Sequence, residues 1–478
     1  VWLNQAVQLN ESSSRLISCS PELPAIDVAK LLVQSGGRPV AVVANNGHPL
    51  GLITNEQYVS QMAAGNISAE TPAQILMNRD FQTARPGLST PNYWLKMLNG
   101  RCASLVITAN GWAESQIQQV ITDSDLAVNS GRNPVLLMRE MLAAETVAEL
   151  AYLFQRANAF LLDGLVGPSV VEWFSQMFAE FNAVLIERLV HISETEMLSA
   201  GRVRPELPSC WLFFGRAGRR ESLTRMAPEI GLVYDDPPRE IAEEAKAYFS
   251  TLFSKVSAKL RACGLQLQSN STESNSNSAC KTLSEWKSFY ADLICDPIGN
   301  AIYRAREYFD VQDVCGNQSL ALELKNSILA ELEQAEAFIP VLANDTLSNL
   351  PPLTFYQDSI IESDGTLTQT LDVEHTALNP IVDAARVFAL AGREIKTSNT
   401  LERLSRSANS ARQHASILND AAEAWRIIAY HHAVAGLSTG NNNAIIQPNR
   451  LSRVEQRLLK SAFDSTRRFV ELISATYS

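Results

Sequence analysis

Residues 37–43 read GRPVAVV and residues 100–106 read GRCASLV; the turn ANNG at 44–47 is echoed by TANG at 108–111. A helical pattern precedes each copy, over 25–35 and over 92–98. An apolar run ending in threonine follows each, GLIT at 51–54 and QVIT at 119–122. An internal repeat constrains a fold strongly, because both copies must build the same supersecondary unit. The order predicted twice within residues 1–132 is helix, strand, hairpin, strand, helix. Thr122 and Asp125 are three residues apart at the start of a helix, where they would act as a cap. The first copy carries Thr54 and, three residues on, Gln57, with Glu56 beside it.

The second constraint is WLFFGRAGRRESLTRMAPEIGLVYDD, residues 211–236. Trp211–Phe214 has the length and composition of a buried strand, and Ile230–Tyr234 reads as another. Between them stand Gly215, Gly218 and a short polar helical connection. Strand, glycine turn, short helix, strand suits phosphate handling, because Gly215 and Gly218 let backbone N–H groups approach an anion. Arg216, Arg219 and Arg220 would add cationic side chains. Asp235 and Asp236, followed by two prolines, read as a solvated turn.

The remainder is mostly helical. Residues 136–197 form a helical stretch broken at DGLVGPS, 163–169, with Ser169 as the expected N-cap. Val171, Phe174, Phe178, Phe181, Leu185, Leu189 and Ile192 form one buried stripe, which places Glu172, Glu180, Glu187 and Arg188 toward solvent. Residues 240–263 form an amphipathic helix, and LQSNSTESNSNSAC at 267–280 is a polar low-complexity loop. Helices are expected over 320–338, 380–391, 400–416, 420–435 and 452–477, with a cap from Asn399 or Thr400.

Forty Lys and Arg against 51 Asp and Glu give a net charge of −11, which argues against broad nucleic-acid binding. No apolar run is long enough to span a bilayer. The seven cysteines lack metal spacing and read as reduced thiols, so a cytoplasmic location is expected.

The repeat in residues 10–130 resembles a tandem pair of CBS (cystathionine-β-synthase) domains. That resemblance implies an adenine nucleotide, ATP, ADP or AMP, in the cleft between the copies. In such pairs a Thr-x-x-Asp unit holds phosphate and ribose, which falls on Thr122 and Asp125; Thr54 is its weaker counterpart. CBS pairs commonly self-associate, so a homodimer and a regulatory protein partner are also implied.

The stretch 211–236 resembles the signature of nucleotidyltransferases of the DNA polymerase β type. The nearest likeness is the CBS-linked family related to protein-PII uridylyltransferase, whose signature runs G-S-x-G-R-x-E-Q-T-L-x-T-D-Q-D-N-x-L-I. Gly215, Gly218, Arg219, Glu221, Leu232 and Val233 fall in register. The two metal-binding aspartates of the family fall on Ala227 and Glu229, and its serine falls on Arg216. Such enzymes clamp two Mg²⁺ ions between paired carboxylates, and alanine supplies no ligand atom. Tyr308-Phe309-Asp310 with Gly316 resembles the family's F-F-D-x-R…G stretch, although Gln312 stands at its arginine. PIVDAARVFAL at 380–390 and SNTLERL at 398–404 resemble its helical substrate-binding domain. Glu374 stands where the family has lysine.

These readings combine into an α/β plus all-α chain. A CBS pair covers 1–132, a helical lead-in 133–210, a nucleotidyltransferase-like domain 211–320 and a helical bundle 321–478. The expected role is a catalytically impaired signalling protein, with Gly215, Arg216, Gly218 and Arg219 as an anion site. The alternatives are an active enzyme, with Glu229 as metal ligand and Glu229 and Asp310 as catalytic carboxylates around Mg²⁺, or a non-catalytic dimerising scaffold.

Overall fold

In a computed structural model of the chain, the described residues are 16–127, 133–223, 227–265, 279–297, 306, 308–347, 350–356, 359–362, 365, 367–439 and 445–477. The chain divides into two compact units, Val1–Ala143 and Ala144–Ser478. All seven cysteines are free thiols.

The first unit contains two three-stranded sheets of one design. β1 (Ser18–Cys19) runs parallel to β2 (Val40–Val43), which pairs antiparallel with β3 (Pro49–Ile53). β4 (Thr83–Ala84), β5 (Ser104–Thr108) and β6 (Ile117–Thr122) repeat that order and polarity. The first copy carries α1 (Ala25–Gln34), α2 (Asn55–Ala63) and the single turn α3 (Ala73–Leu76); the second carries α4 (Thr90–Asn99) and α5 (Asp123–Ala127). Alternate side chains of a strand face opposite ways, and β2 buries both faces. Val40 and Val42 join Ala25, Val28, Leu32 and Ile53, whereas Ala41 joins Leu52, Val106 and Val120. The second cluster ties the sheets of the two copies together. α6 (Pro134–Ala143) packs on α4, and this unit ends at Ala143.

The second unit opens with α7 (Val147–Gly164), capped by Thr146 accepting from the Glu149 N–H at 3.2 Å. α8 (Pro168–Ser199) starts with Pro168 after Gly167, so Ser169 lies inside the first turn and is not the cap. Proline at this position loses no helical hydrogen bond. The expected stripe of α8 is buried, but its other side is covered as well. Glu172 pairs with Arg426 at 3.0 Å, Glu180 pairs with Arg220, and Arg188 donates to the Ala144 carbonyl at 3.1 Å. These charges were expected to face solvent, and Arg426, Arg220 and the Ala144 carbonyl take them up instead.

A four-stranded sheet lies at the centre of this unit: β7 (Ser209–Phe214), β8 (Glu229–Tyr234), β9 (Cys280–Thr282) and β10 (Gln312–Gly316), in the order β10–β7–β8–β9. β7 is antiparallel to β10 and to β8, and β8 is parallel to β9. The single turn α9 (Gly215–Gly218) follows β7 directly. α10 (Ala242–Ala262) covers the sheet through Phe253, stacked on Trp211 at 5.7 Å between ring centroids. α11 (Leu283–Cys295) does so through Trp286, whose Nε1 donates to the Leu232 carbonyl at 3.1 Å. Residues 267–278 of the polar loop lie outside the described residues, and Cys280, counted with that loop from sequence, begins β9.

The helical remainder comprises α12 (Gln318–Gln334), α13 (Phe338–Leu347), α14 (Asn379–Ala391), α15 (Thr400–Ser410), α16 (Ala415–Thr439) and α17 (Arg453–Tyr477). Five short strands, β11 (Thr354–Tyr356), β12 (Ser359–Ile361), β13 (Leu367–Thr368), β14 (Leu371–Asp372) and β15 (Ile445–Ile446), punctuate it. Asn399 caps α15, accepting from the Glu402 N–H at 3.1 Å. Among the described residues no helix is long and apolar enough to cross a membrane.

Gly218 is required by contact. A Cβ there would collide with the Asp310 carbonyl oxygen and stand 2.9 Å from the Phe213 carbonyl oxygen. Backbone cannot yield as a side-chain tip can, so Gly218→Ala should cost about 3 kcal/mol. Urea denaturation checks this; an unchanged midpoint would refute the close approach.

Candidate functional site

Phe214, the last residue of β7, pairs in register with Glu229, the first of β8. Gly215 then turns the chain with φ +55°. A Cβ on Gly215 would collide with Glu229 Oε2 and stand 3.2 Å from its Cδ, so the Glu229 carboxylate lies against the turn. The next residue, Arg216, pairs with Glu374 at 2.8 Å, their side chains 14% and 16% exposed. Glu374 opens a wide π-type turn, Glu374–Leu378, directly after β14. Burial would raise the Glu374 carboxyl, but Arg216, His432 and His375 together outweigh it and hold the group below its ordinary value. The same π-type turn packs on α16, which carries the buried His432, whose Nδ1 has no hydrogen bond. Ala227 is buried and offers no donor atom. The structure thus brings Gly215, Arg216 and Glu229 together and adds Glu374.

The other end of α9 leads to a different arrangement. Asp310 is wholly buried beneath three guanidinium groups. Its Oδ1 accepts from Arg403 at 2.6 Å, and its Oδ2 accepts from Arg386 at 2.6 Å and from Arg219 at 2.7 Å. Arg219 also donates to Glu221 at 2.8 Å, and Glu221 accepts the Thr400 N–H, at the start of α15, at 2.6 Å. Arg386 donates to Asp383 at 2.5 Å; Asp383 takes Arg306 at 3.1 Å, and Arg306 pairs with Asp345 as well. Arg219, Arg306, Arg386 and Arg403 balance Asp310, Glu221, Asp345 and Asp383. Burial would raise the Asp310 carboxyl, but Arg386, Arg403 and Arg219 together outweigh it and hold it far below the usual carboxylate range.

Asp310 and Arg219, singled out from sequence as a catalytic carboxylate and an anion ligand, therefore have each other as partners. Arg386, Asp383, Arg306 and Asp345 were not singled out. A signal existed for two of them: Asp383 and Arg386 interrupt the apolar run PIVDAARVFAL at a spacing of three. Charges inside a buried helix need partners.

In the first unit, Asp125 is held by both copies of the repeat. Arg38 grips it with two parallel hydrogen bonds, 2.7 Å to Oδ1 and 2.8 Å to Oδ2. The Thr122 N–H and hydroxyl each donate to Oδ2 at 2.9 Å, while the Asp125 N–H donates to the Thr122 hydroxyl at 3.3 Å. This reciprocal pattern caps the start of α5. Thr54 caps α2, accepting from the Gln57 N–H at 3.2 Å. Arg38 is the residue the sequence reading passed over, although it sits in the repeated motif itself.

A family model described as "Putative nucleotidyltransferase DUF294" matches residues 162–299, and one described as "Putative nucleotidyltransferase substrate binding domain" matches residues 336–477. The chain belongs to the nucleotidyltransferase family that these two models describe. Among solved structures, the chain is similar to an uncharacterized conserved protein from Pyrococcus horikoshii, at 20% identity over 25% of this chain and 88% of that one, with a TM-score of 0.23. It is similar to a CBS-domain protein from Agrobacterium tumefaciens at 19% identity, over 24% of this chain and 84% of that one, with a TM-score of 0.22. A CBS domain pair solved with 5-methylthioadenosine and S-adenosyl-L-methionine is 16% identical over 27% of this chain and 98% of that one, with a TM-score of 0.23. No curated protein matches the chain.

Breaking the ion cluster from its centre gives a direct prediction. Asp310→Asn leaves buried guanidinium charges uncompensated and should cost about 3–5 kcal/mol. The folded carboxyl lies below its unfolded value of about 4, so its contribution is complete above that pH and is lost as pH falls below it. The stability gap between wild type and Asp310→Asn in urea should therefore shrink below about pH 4. A gap independent of pH would contradict the assignment.

Proposed function

We propose that this chain is a catalytically impaired nucleotidyltransferase relative that works in signalling, with its CBS pair sensing an adenine nucleotide. The observation that carries the impairment is the position of Asp310. A two-metal site needs a second carboxylate beside Glu229. Ala227 supplies none, and both Asp310 oxygens are taken by arginines. Of the two carboxylates at the turn, Glu374 is engaged by the Arg216 guanidinium and so does not serve as the second ligand of paired Mg²⁺.

The sensing half rests on the family and on Thr122 and Asp125, which stand at a helix start with hydroxyl, carboxylate and backbone N–H groups converging. A ribose there would exchange its hydroxyls for the Arg38 guanidinium, freeing Arg38 to meet phosphate. The clamp itself favours a second reading, a CBS pair that serves as a ligand-free scaffold. On that reading adenine nucleotides leave the melting temperature unchanged, whereas a bound ligand raises it.

Calorimetric titration of ATP into the full chain, with Mg²⁺ and with EDTA, decides between these. The expected result is binding that survives EDTA and is lost in Asp125→Ala. Binding that requires Mg²⁺ and ignores Asp125→Ala would overturn the proposal in favour of an active enzyme; Glu229→Ala should then abolish turnover.

A further inference from the structure

The glycine turn after β7 carries the Arg216 guanidinium, and two of the chain's own carboxylates already lie on it. Glu229 comes from the neighbouring strand and rests against Gly215. Glu374 comes from a turn 158 residues further along and holds Arg216. The two acids arrive by independent routes on adjacent residues of one glycine turn.

A guanidinium offers the same fork of N–H donors to a carboxylate and to a phosphate. The two groups therefore compete for Arg216, and a tethered competitor is present at high effective concentration. A free polyphosphate would also meet the negative charge of both glutamates at short range, in a partly buried setting where screening is weak.

We infer that Glu374 is an internal stand-in for phosphate on Arg216, so that the glycine turn is a masked polyphosphate site. The inference deepens the proposal that the transferase-like half is impaired and rests on it: the chain excludes the triphosphate by filling its place. Arg216 and Glu374 act as a pair, the arginine supplying the cation and the glutamate keeping it occupied. Removing the glutamate charge unmasks the site, and removing the arginine closes it again.

Tripolyphosphate is the probe, because it lacks the adenosine that a CBS pair would recognise. It is titrated, without Mg²⁺, into the full-length wild type, into Glu374→Gln and into the double variant Arg216→Met, Glu374→Gln. The wild type should bind weakly or not at all, Glu374→Gln should bind at least about tenfold more tightly, and the double variant should lose the gain. Equal binding by wild type and Glu374→Gln would overturn the inference, as would a gain that persists without Arg216. Thermal melts confirm folding. If Glu374→Gln does not fold, Glu374→Asp shortens the arm while keeping the charge; it should show a partial gain, and no gain would count against the inference. Loss of ATP binding in Asp125→Ala involves none of these residues, so the sensing proposal and this one fail separately.

Discussion

Asp310 is ionised where there is no water. Such a carboxylate persists only if its lost hydration is replaced, and three arginines from three segments replace it here. Arg219 comes from the end of the glycine turn, Arg386 from α14 and Arg403 from α15. The arginines are satisfied in turn by Glu221, Asp383 and the Thr397 carbonyl, so the network has a fixed geometry as well as balanced charge. A hydrophobic contact would permit α14 and α15 to slide or rotate on the sheet. A hub of directional hydrogen bonds does not.

The hub also reassigns the signature motif. Gly218 makes room for the Asp310 backbone, Arg219 binds its carboxylate, and Glu221 receives the Thr400 N–H at the start of α15. Arg386 and Arg403 belong to the two helical stretches that resemble the family's C-terminal domain. Gly218, Arg219 and Glu221, where this chain keeps to the family pattern, thus meet Asp310 in a buried lock. The positions where it departs, Arg216, Ala227, Glu229 and Glu374, belong to the other end of α9 or the strand and turn beside it. Within unit two, the fold-holding residues and the residues that would meet a ligand are separate sets.

The same physical device recurs in the first unit. Arg38 from one repeat holds Asp125 from the other, as Arg216 holds Glu374, and in each case a long-range ion pair engages groups that the proposed function assigns to a nucleotide or phosphate. In the first unit the acid also caps a helix through Thr122, so the pair has a structural role whether or not a ligand displaces it. In the second, burial acts on the Glu374 carboxyl against Arg216, His432 and His375, and the three cationic groups together prevail.

Local pattern was legible in the sequence. The repeat announced two equivalent strand–hairpin–strand units, the apolar runs at 211–214 and 230–234 became paired strands, and the three- and four-residue spacing of α8 became a buried stripe. These follow from period and turn chemistry, which act between near neighbours in the chain. The charges were not legible. Glu172, Glu180 and Arg188 looked solvent-facing because one helix cannot show what packs on its far side. Asp310 looked like a remaining active-site acid because its partners lie 76 to 93 residues away, and Glu374 looked like an isolated charge reversal until its partner proved to be Arg216. Sequence determined which segments become strands and helices; only tertiary packing decided which acid meets which arginine, because an ion pair depends on distance in space and on the removal of water, and neither is written in the order of residues.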